Sequence, residues 1–541
     1  MAKRFGAMLD MSRNAVMRPE EVKKFASVIK SFGYNMIMLY TEDTYEVDGE
    51  PYFGYLRGRY SKEELKDIVA YCDSIGIEVI PCIQTLAHLN RIFQWETYKQ
   101  IRDVYDILLA GDERTYALIE NMFKTIRECF TSDVVHIGMD EAHMLGLGKY
   151  LDKNGFKNRF GILHAHLEKV IEIAKKYGFK PIMWSDMFFR LKNGDKYYLY
   201  DTGKDTSIIN DEVVSSCPEG VDLVYWDYYS NKKSDYDIMF DAHAKFPGET
   251  WFAGGVWTWT GFAGNNRCTL ENSAAALASC KEKNVENIVM TLWGDDGKET
   301  SYWSMLPSIY AVKRFYDGEQ DMDKIKRDFN ALTGEDFDSM MLLDIYMDFG
   351  KRRRYDNTPN KYLLYNDAFL GFLDPALKRS FRDDYLSLAE KLEAAAKTSA
   401  YSYIFESQAA LCRTLATKHD LGKRTRAAYK SGERAELEKV VGDFGAAISE
   451  LEKFIRAFRR LWFTDNKPHG FDVQEHRLGG VLLRLRSQKE RLEAFMQNGE
   501  KIPELEEEIL PYNGSGAANE VRDVPYVKTW FESVSVNVLD I

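Results

Sequence analysis

Residues 133–143, DVVHIGMDEAH, carry an acid pair, Asp140 and Glu141, at the end of a β-branched apolar run. Two neighbouring carboxylates that serve one pocket suit acid–base work on a polar bond, one carrying a proton while the other stays an anion. A strand sends adjacent side chains to opposite faces, so the pair can share a pocket only if the strand ends there. The competing reading is a buried strand that runs into a solvated acidic loop. His136 and His143 flank the pair, so a metal-binding cluster has to be weighed too.

The elements that must position this pair follow a regular order. Apolar strand-like segments at 5–10, 34–40, 77–83, 134–137, 180–185, 222–227, 250–257 and 287–293 alternate with helix-period segments. The helices open on recognisable signals, such as Pro19 at a first helical position and the capping box of Ser61 with Glu64. Strands that read as continuous apolar runs are covered on both faces, as parallel strands are. Eight such units with right-handed crossovers predict a (β/α)8 TIM barrel, in the α/β class. An open doubly wound sheet would need a Gly-rich turn after its first strand, and LDMSRN is not one. Beyond residue 320 long helical periods take over at 376–399, 403–417, 433–462 and 475–496. The expected division is a catalytic barrel at 1–320 and a mainly α-helical C-terminal domain at 321–541. A polar-aromatic loop is expected at 462–477, and residues 526–538 have the composition of a terminal strand.

Composition excludes several functions. A net charge of −12 and a pI near 5.5 are poor for binding phosphates, so nucleic acid is not an expected partner. Seven scattered cysteines without close pairing point to neither a disulfide framework nor a zinc knuckle. No segment approaches a membrane span, and the N-terminus lacks a secretory h-region, so a soluble cytoplasmic protein is expected.

In a barrel the strand C-termini build the active face. Here they carry Asp10 with Arg13, Tyr40 with Glu42 and Asp43, Gln84 with His88, and His136 before the acid pair. Strands five to eight end on Trp184 with Asp186, Trp226 with Asp227 and Tyr228, Trp257 with Trp259, and Trp293 with Asp295 and Asp296. Tryptophans gathered at one rim with carboxylates and an arginine fit a sugar pocket. Indoles stack on pyranose C–H faces, and the polar groups hold the hydroxyls.

These residues resemble glycoside hydrolase family 20, the β-N-acetylhexosaminidases. HIGMDEAH matches that family's His-x-Gly-x-Asp-Glu signature, and LDMSR resembles its first-strand Asp-x-x-Arg. His88 after PCIQTLA resembles the histidine that ends its third-strand motif, and LWGDD its eighth-strand Trp-x-Glu/Asp. The resemblance spans roughly residues 1–317. It implies a retaining exo-enzyme that removes terminal β-linked GlcNAc or GalNAc, the substrate's own acetamido oxygen attacking the anomeric carbon to give an oxazolinium intermediate. It implies Glu141 as acid and then base, Asp140 as the group that orients the acetamide, and a tyrosine on the acetamide oxygen. Tyr228 is the choice here, with Tyr225 and Tyr229 as competitors. By the same resemblance Trp184, Trp226 and Trp257 box the acetamide methyl and Trp293 stacks on the sugar. Arg13 and Asp295 hold outer hydroxyls, and His88 and His136 orient the others. No cofactor and no metal are implied.

The chain departs from the family in three respects. The barrel starts at the first residues with no α/β domain before it, the third strand has Cys-Ile-Gln where Glu-Ile-Asp is usual, and the C-terminal region is helical. These features point to a compact intracellular branch. The leading alternatives are a metal-dependent amidohydrolase, whose first-strand His-x-His is absent, and a non-catalytic sugar-binding barrel, which had no need to keep both acids. GlcNAc against GalNAc preference, linkage and assembly are not written in the sequence; a homodimer through the helical region is the working expectation.

Overall fold

A computed structural model of the chain describes residues 2–203, 205–347, 359–377, 379–511 and 530–537. Eight parallel strands close into a barrel in sequence order: β1 (Arg4–Asp10), β2 (Met36–Tyr40), β3 (Glu78–Cys82), β4 (Val134–His136), β5 (Lys180–Trp184), β6 (Asp222–Trp226), β7 (Thr250–Gly255) and β8 (Asn287–Leu292). β8 pairs back to β1, Arg4 opposite Asn287 and Leu9 opposite Leu292. The strands are buried on both faces, which is why they read as unbroken apolar runs. The expected (β/α)8 barrel is what the chain forms.

Helices follow the strands as their capping signals direct. Pro19 opens Pro19–Ser31, and the Ser61 side chain accepts from the Glu64 N–H while Glu64 caps the Ser61 N–H, starting Lys62–Ser74. Between β5 and β6 lie a 3-10 turn at Thr206–Ile208 and a short helix at Asp211–Ser215, each started by its own cap, Asp205 and Asn210.

The chain forms two compact units, and they interleave in sequence. The first takes in Met1–Val256, Thr269–Trp293 and Ile309–Gln320 and holds all eight strands. The second takes in Trp257–Cys268, Gly294–Ser308 and Asp321–Ile541. Its main helices are Arg382–Ala396, Ser402–Lys418, Leu421–Ser431, Arg434–Asp465 and Phe471–Asn498. Buried Leu437, Val440, Phe444, Ala447, Leu451, Phe454, Phe458 and Leu461 recur at alternating spacings of three and four, the stripe of a heptad seam. Leu478, Val481, Leu485 and Leu492 repeat it on the next helix. The loop expected at 462–477 is much shorter, because helix-forming residues extend both helices to Asp465 and from Phe471. Of the strand expected at 526–538, residues 526–529 and 538 lie outside the described residues, and Trp530–Val534 is a short helix. Among the described residues no helix is long and apolar enough to cross a membrane.

One glycine shows how closely the barrel is drawn. Gly6 on β1 faces Met36 on β2, and an added Cβ would meet the Met36 carbonyl oxygen at 2.7 Å and its Cβ at 2.9 Å. Gly6→Ala is therefore expected to cost about 1–3 kcal/mol through overpacking, read as a lowered thermal midpoint. An unchanged midpoint would mean that β1 and β2 can part at no cost.

Candidate active site

β4 ends at His136, well before the acid pair. The strand thus does not run to Asp140 as the sequence reading required, and another device separates the two carboxylates. Gly138, Met139 and Glu141 all adopt left-handed backbone, with φ of 71°, 73° and 51°. Only glycine fits at position 138, since a Cβ there would come within 2.0 Å of Gln84 Oε1 and 2.9 Å of the Ile83 carbonyl oxygen. Non-glycine residues rarely hold such backbone, and it gathers at functional sites; His88 and Glu42 share it here.

Asp140 turns inward. Gln84 Nε2 donates to its Oδ1 at 2.8 Å, and His88 Nε2 stands 3.1 Å from its Oδ2. Burial favours a neutral Asp140, but the facing His88 charge and its hydrogen bonds outweigh that and hold the carboxyl below the usual range. Burial likewise opposes a charged His88, yet Asp140 lifts the imidazole to about 10. The pair is ionised at neutral pH. Gln84 also accepts the Met139 N–H at 3.1 Å and donates to the Tyr40 hydroxyl at 3.0 Å, so the residue in place of the usual acid ties β2, β3 and the acid turn together.

Glu141 turns outward, with a side chain 40% exposed. Its backbone N–H donates to Asp186 Oδ2 at 3.0 Å, and Arg190 Nη2 lies 3.4 Å from its Oε1. His88 Nε2 is 3.8 Å from its Oε2, so one imidazole faces both acids. Beside this group Arg13 Nη2 meets Glu42 Oε1 at 3.0 Å, and Tyr40 donates to the same carboxylate. Burial raises Glu42 and the Arg13 charge opposes it. Asp10 accepts from the Ser12 N–H and hydroxyl at 2.8 and 2.7 Å, turning the chain that carries Arg13.

Aromatic rings join these groups. Tyr40, Trp293, Trp184 and His136 form a continuous series, with centroids 4.8, 5.9 and 4.2 Å apart. Burial lowers His136 to about 3, so its ring is neutral; Nδ1 accepts the Gly138 N–H and Nε2 carries the proton. Tyr228 stacks on Trp226 at 5.4 Å, and its hydroxyl hydrogen-bonds Trp293 and Thr291. Tyr225 is set apart, because its hydroxyl donates to Asp227 and its ring packs against Phe240, His243 and Phe252.

Of the expected site residues the first unit brings together Asp140, Glu141, His88, Arg13, His136, Trp184, Trp226, Tyr228 and Trp293. Trp257 and Asp295 belong to the second unit. There Trp257 stacks on Trp259 at 4.5 Å, and Asp295 precedes Asp296, which is held by Lys361 and Arg477. His136 and His143 do not converge: His136 lies among the rings, and His143 pairs with Asp195 at 2.8 Å on the exposed side. Sequence reasoning placed Glu42, Gln84 and Asp186 at strand ends but gave them no role, and it missed Arg190. The i,i+4 spacing of Asp186 and Arg190 just past a strand-ending tryptophan was the available signal.

Two family models match the chain. One describes the "Glycosyl hydrolase family 20, catalytic domain", over residues 6–225, and the other the "Glycoside Hydrolase 20C C-terminal domain", over residues 335–523. Among curated relatives, Hexosaminidase D of Bos taurus is 26% identical over 217 residues, 37% of this chain and 56% of that protein. Hexosaminidase D of Homo sapiens is 25% identical over 212 residues, 37% of this chain and 40% of that protein. The chain thus spans about half the length of these relatives. Among solved structures, a chitobiase of Flavobacterium johnsoniae aligns with 93% of this chain and 74% of its own at 15% identity and a TM-score of 0.46.

The ionised pair makes a pH-dependent contribution to stability. His88 is raised above its ordinary value, so its share is present below about pH 6.5 and is lost as pH rises through about 10. Asp140 is depressed, so its share is present above about pH 4 and is lost as pH falls through its lower folded value. His88→Gln is expected to cost on the order of 3 kcal/mol at pH 6.5 by stranding a buried carboxylate, and progressively less towards pH 10. Thermal midpoints of both proteins across that window decide it; a constant gap would mean that His88 bears no charge.

Proposed function

The chain belongs to glycoside hydrolase family 20, and from that premise we propose that it is a retaining exo-β-N-acetylhexosaminidase that removes terminal β-linked GlcNAc or GalNAc. The observation that carries this reading is the ionised Asp140–His88 pair beside an outward-turned Glu141. A carboxylate with both oxygens engaged and its acidity increased is a weak nucleophile for an anomeric carbon. It is well suited to accept an acetamide N–H and to face the positive charge that develops on that nitrogen.

In the proposed reaction the acetamido carbonyl oxygen attacks the anomeric carbon while Glu141 gives its proton to the glycosidic oxygen and the C–O bond breaks. The group expelled is the alcohol or sugar that carries the glycosidic oxygen, protonated by Glu141. Asp140 orients the acetamide, and the oxazolinium ion that forms stays opposite its negative charge. Glu141, now a carboxylate, takes a proton from water as that water opens the ring, which returns the starting configuration. Tyr228 is assigned to the acetamide oxygen, since its hydroxyl lies at the Trp293 edge and Tyr225 is committed to Asp227. Trp184 and Trp226 are assigned to the acetamide methyl and Trp293 to the sugar face. Arg13 is assigned to an outer hydroxyl, and His88 and His136 to orienting the acid turn and the rings.

Glu141→Gln is expected to lower turnover of an aryl β-N-acetylglucosaminide by about 10²–10⁴-fold, with the fold intact by circular dichroism. Asp140→Asn should reduce kcat more than it raises KM, because the interaction it removes grows as charge develops. Matched β-glucosides and β-N-acetylglucosaminides test the whole scheme. Cleavage of the plain glucoside at a comparable rate would rule out acetamide participation.

A further inference from the structure

Glu141 is held from two sides by the short helix Asp186–Arg190, which follows β5. Asp186 Oδ2 accepts the Glu141 N–H at 3.0 Å and the Arg190 Nε–H at 2.9 Å. Arg190 Nη2 then reaches back to Glu141 Oε1 at 3.4 Å, closing a ring of contacts through backbone and side chain. Arg190 is itself seated. Its Nη1 donates to the Asp195 carbonyl oxygen at 2.9 Å, and its guanidinium stands 5.9 Å from the centres of both the Tyr197 and Trp226 rings. Asp186 is fully buried. Burial, then the Asp140 charge, push it up to about 7, with Arg190 opposing and Glu141 adding to the rise. The groups that face it are therefore Asp140 and Glu141 from the acid turn, Arg190 from its own helix and Tyr197 from the segment beyond.

This arrangement is more than a surface ion pair. The held residue has a strained left-handed backbone, φ 51°, and a half-open side chain that would otherwise sample several rotamers. A proton donor has to be aimed at its acceptor, and misplacement by an ångström is costly.

We propose that Asp186 and Arg190 are positioning residues that clamp the acid/base Glu141, Asp186 fixing its backbone and Arg190 meeting the negative charge that its carboxyl gains as the proton leaves. The inference rests on the reading of Glu141 as the acid. Proton transfer to the glycosidic oxygen leaves a carboxylate on Glu141, and the electron pair of the broken C–O bond goes to that oxygen. A guanidinium already beside Oε1 stabilises this product of the transfer. The benefit is largest when the leaving group most needs its proton.

The test is kcat/KM across a series of aryl β-N-acetylglucosaminides whose phenols range from strongly to weakly acidic, for the unaltered enzyme, Arg190→Met, Arg190→Lys and Glu141→Gln. Arg190→Met should lose about tenfold or less with the most acidic phenol and on the order of 100-fold with the least acidic, mainly in kcat, and Arg190→Lys should recover part of the loss. A loss that is uniform across the series in both Arg190 variants, or no loss, overturns the clamp. Thermal melting reports whether Arg190→Met folds; if it does not, the slope for Arg190→Lys decides by the same criterion. Glu141→Gln separates the two claims. If its loss depends on the leaving group while the Arg190 variants lose uniformly, the clamp alone is wrong. If Glu141→Gln shows no such dependence, the acid assignment falls and the clamp with it.

Discussion

A carboxylate taken out of water must be met by a positive charge, and at the mouth of this barrel Asp140 is met by His88. Much of the local structure serves that meeting. Gln84 takes the other carboxylate oxygen and at the same time braces the Met139 N–H and the Tyr40 hydroxyl. His88 is held in a left-handed conformation, with its N–H on Asp106, which brings its Nε2 to the acid pair. Loss of either charge would leave its partner buried and unpaired, the arrangement that low-dielectric surroundings penalise most.

The second constraint is conformational. Two adjacent acids can do different work only if their environments differ, and here the turn of Gly138, Met139 and Glu141 sends one inward and one outward. Asp140 lies among hydrogen bonds and a cation, whereas Glu141 lies half-open beside Arg190. Such backbone persists only where surroundings over-determine it. Asp186 supplies part of that determination, through the Glu141 N–H, and the Gln84 side chain packed against Gly138 supplies another.

Much of this was legible in the sequence, for physical reasons that differ by feature. The barrel showed because parallel strands covered on both faces must be apolar throughout, and helices between them must start with caps. The nearness of His88 to Asp140 and Glu141 was readable because strand ends in such a barrel share one face. What was not legible depends on contacts between segments distant in sequence. Gln84 looked like the loss of an acid, and only the register of β3 beside β4 reveals it as a bridge to Asp140. The separation of Asp140 from Glu141 looked like a matter of where a strand stops, whereas it comes from left-handed residues after a strand of just three residues. The helical hairpin was read with too long a loop, since the polar residues between Trp462 and Arg477 are compatible with helix once Phe471 is buried.

The central claim is that Asp140 is an orienting anion and that the nucleophile comes from the substrate. The most direct measurement is kcat/KM for aryl glycosides whose N-acetyl group is replaced in turn by mono-, di- and trifluoroacetyl. Fluorine withdraws electrons from the carbonyl oxygen and leaves the glycosidic bond and its leaving group as they were. A steep, monotonic fall along the series is the result predicted for attack by that oxygen. A flat series would contradict it and place the nucleophile on the protein or in water.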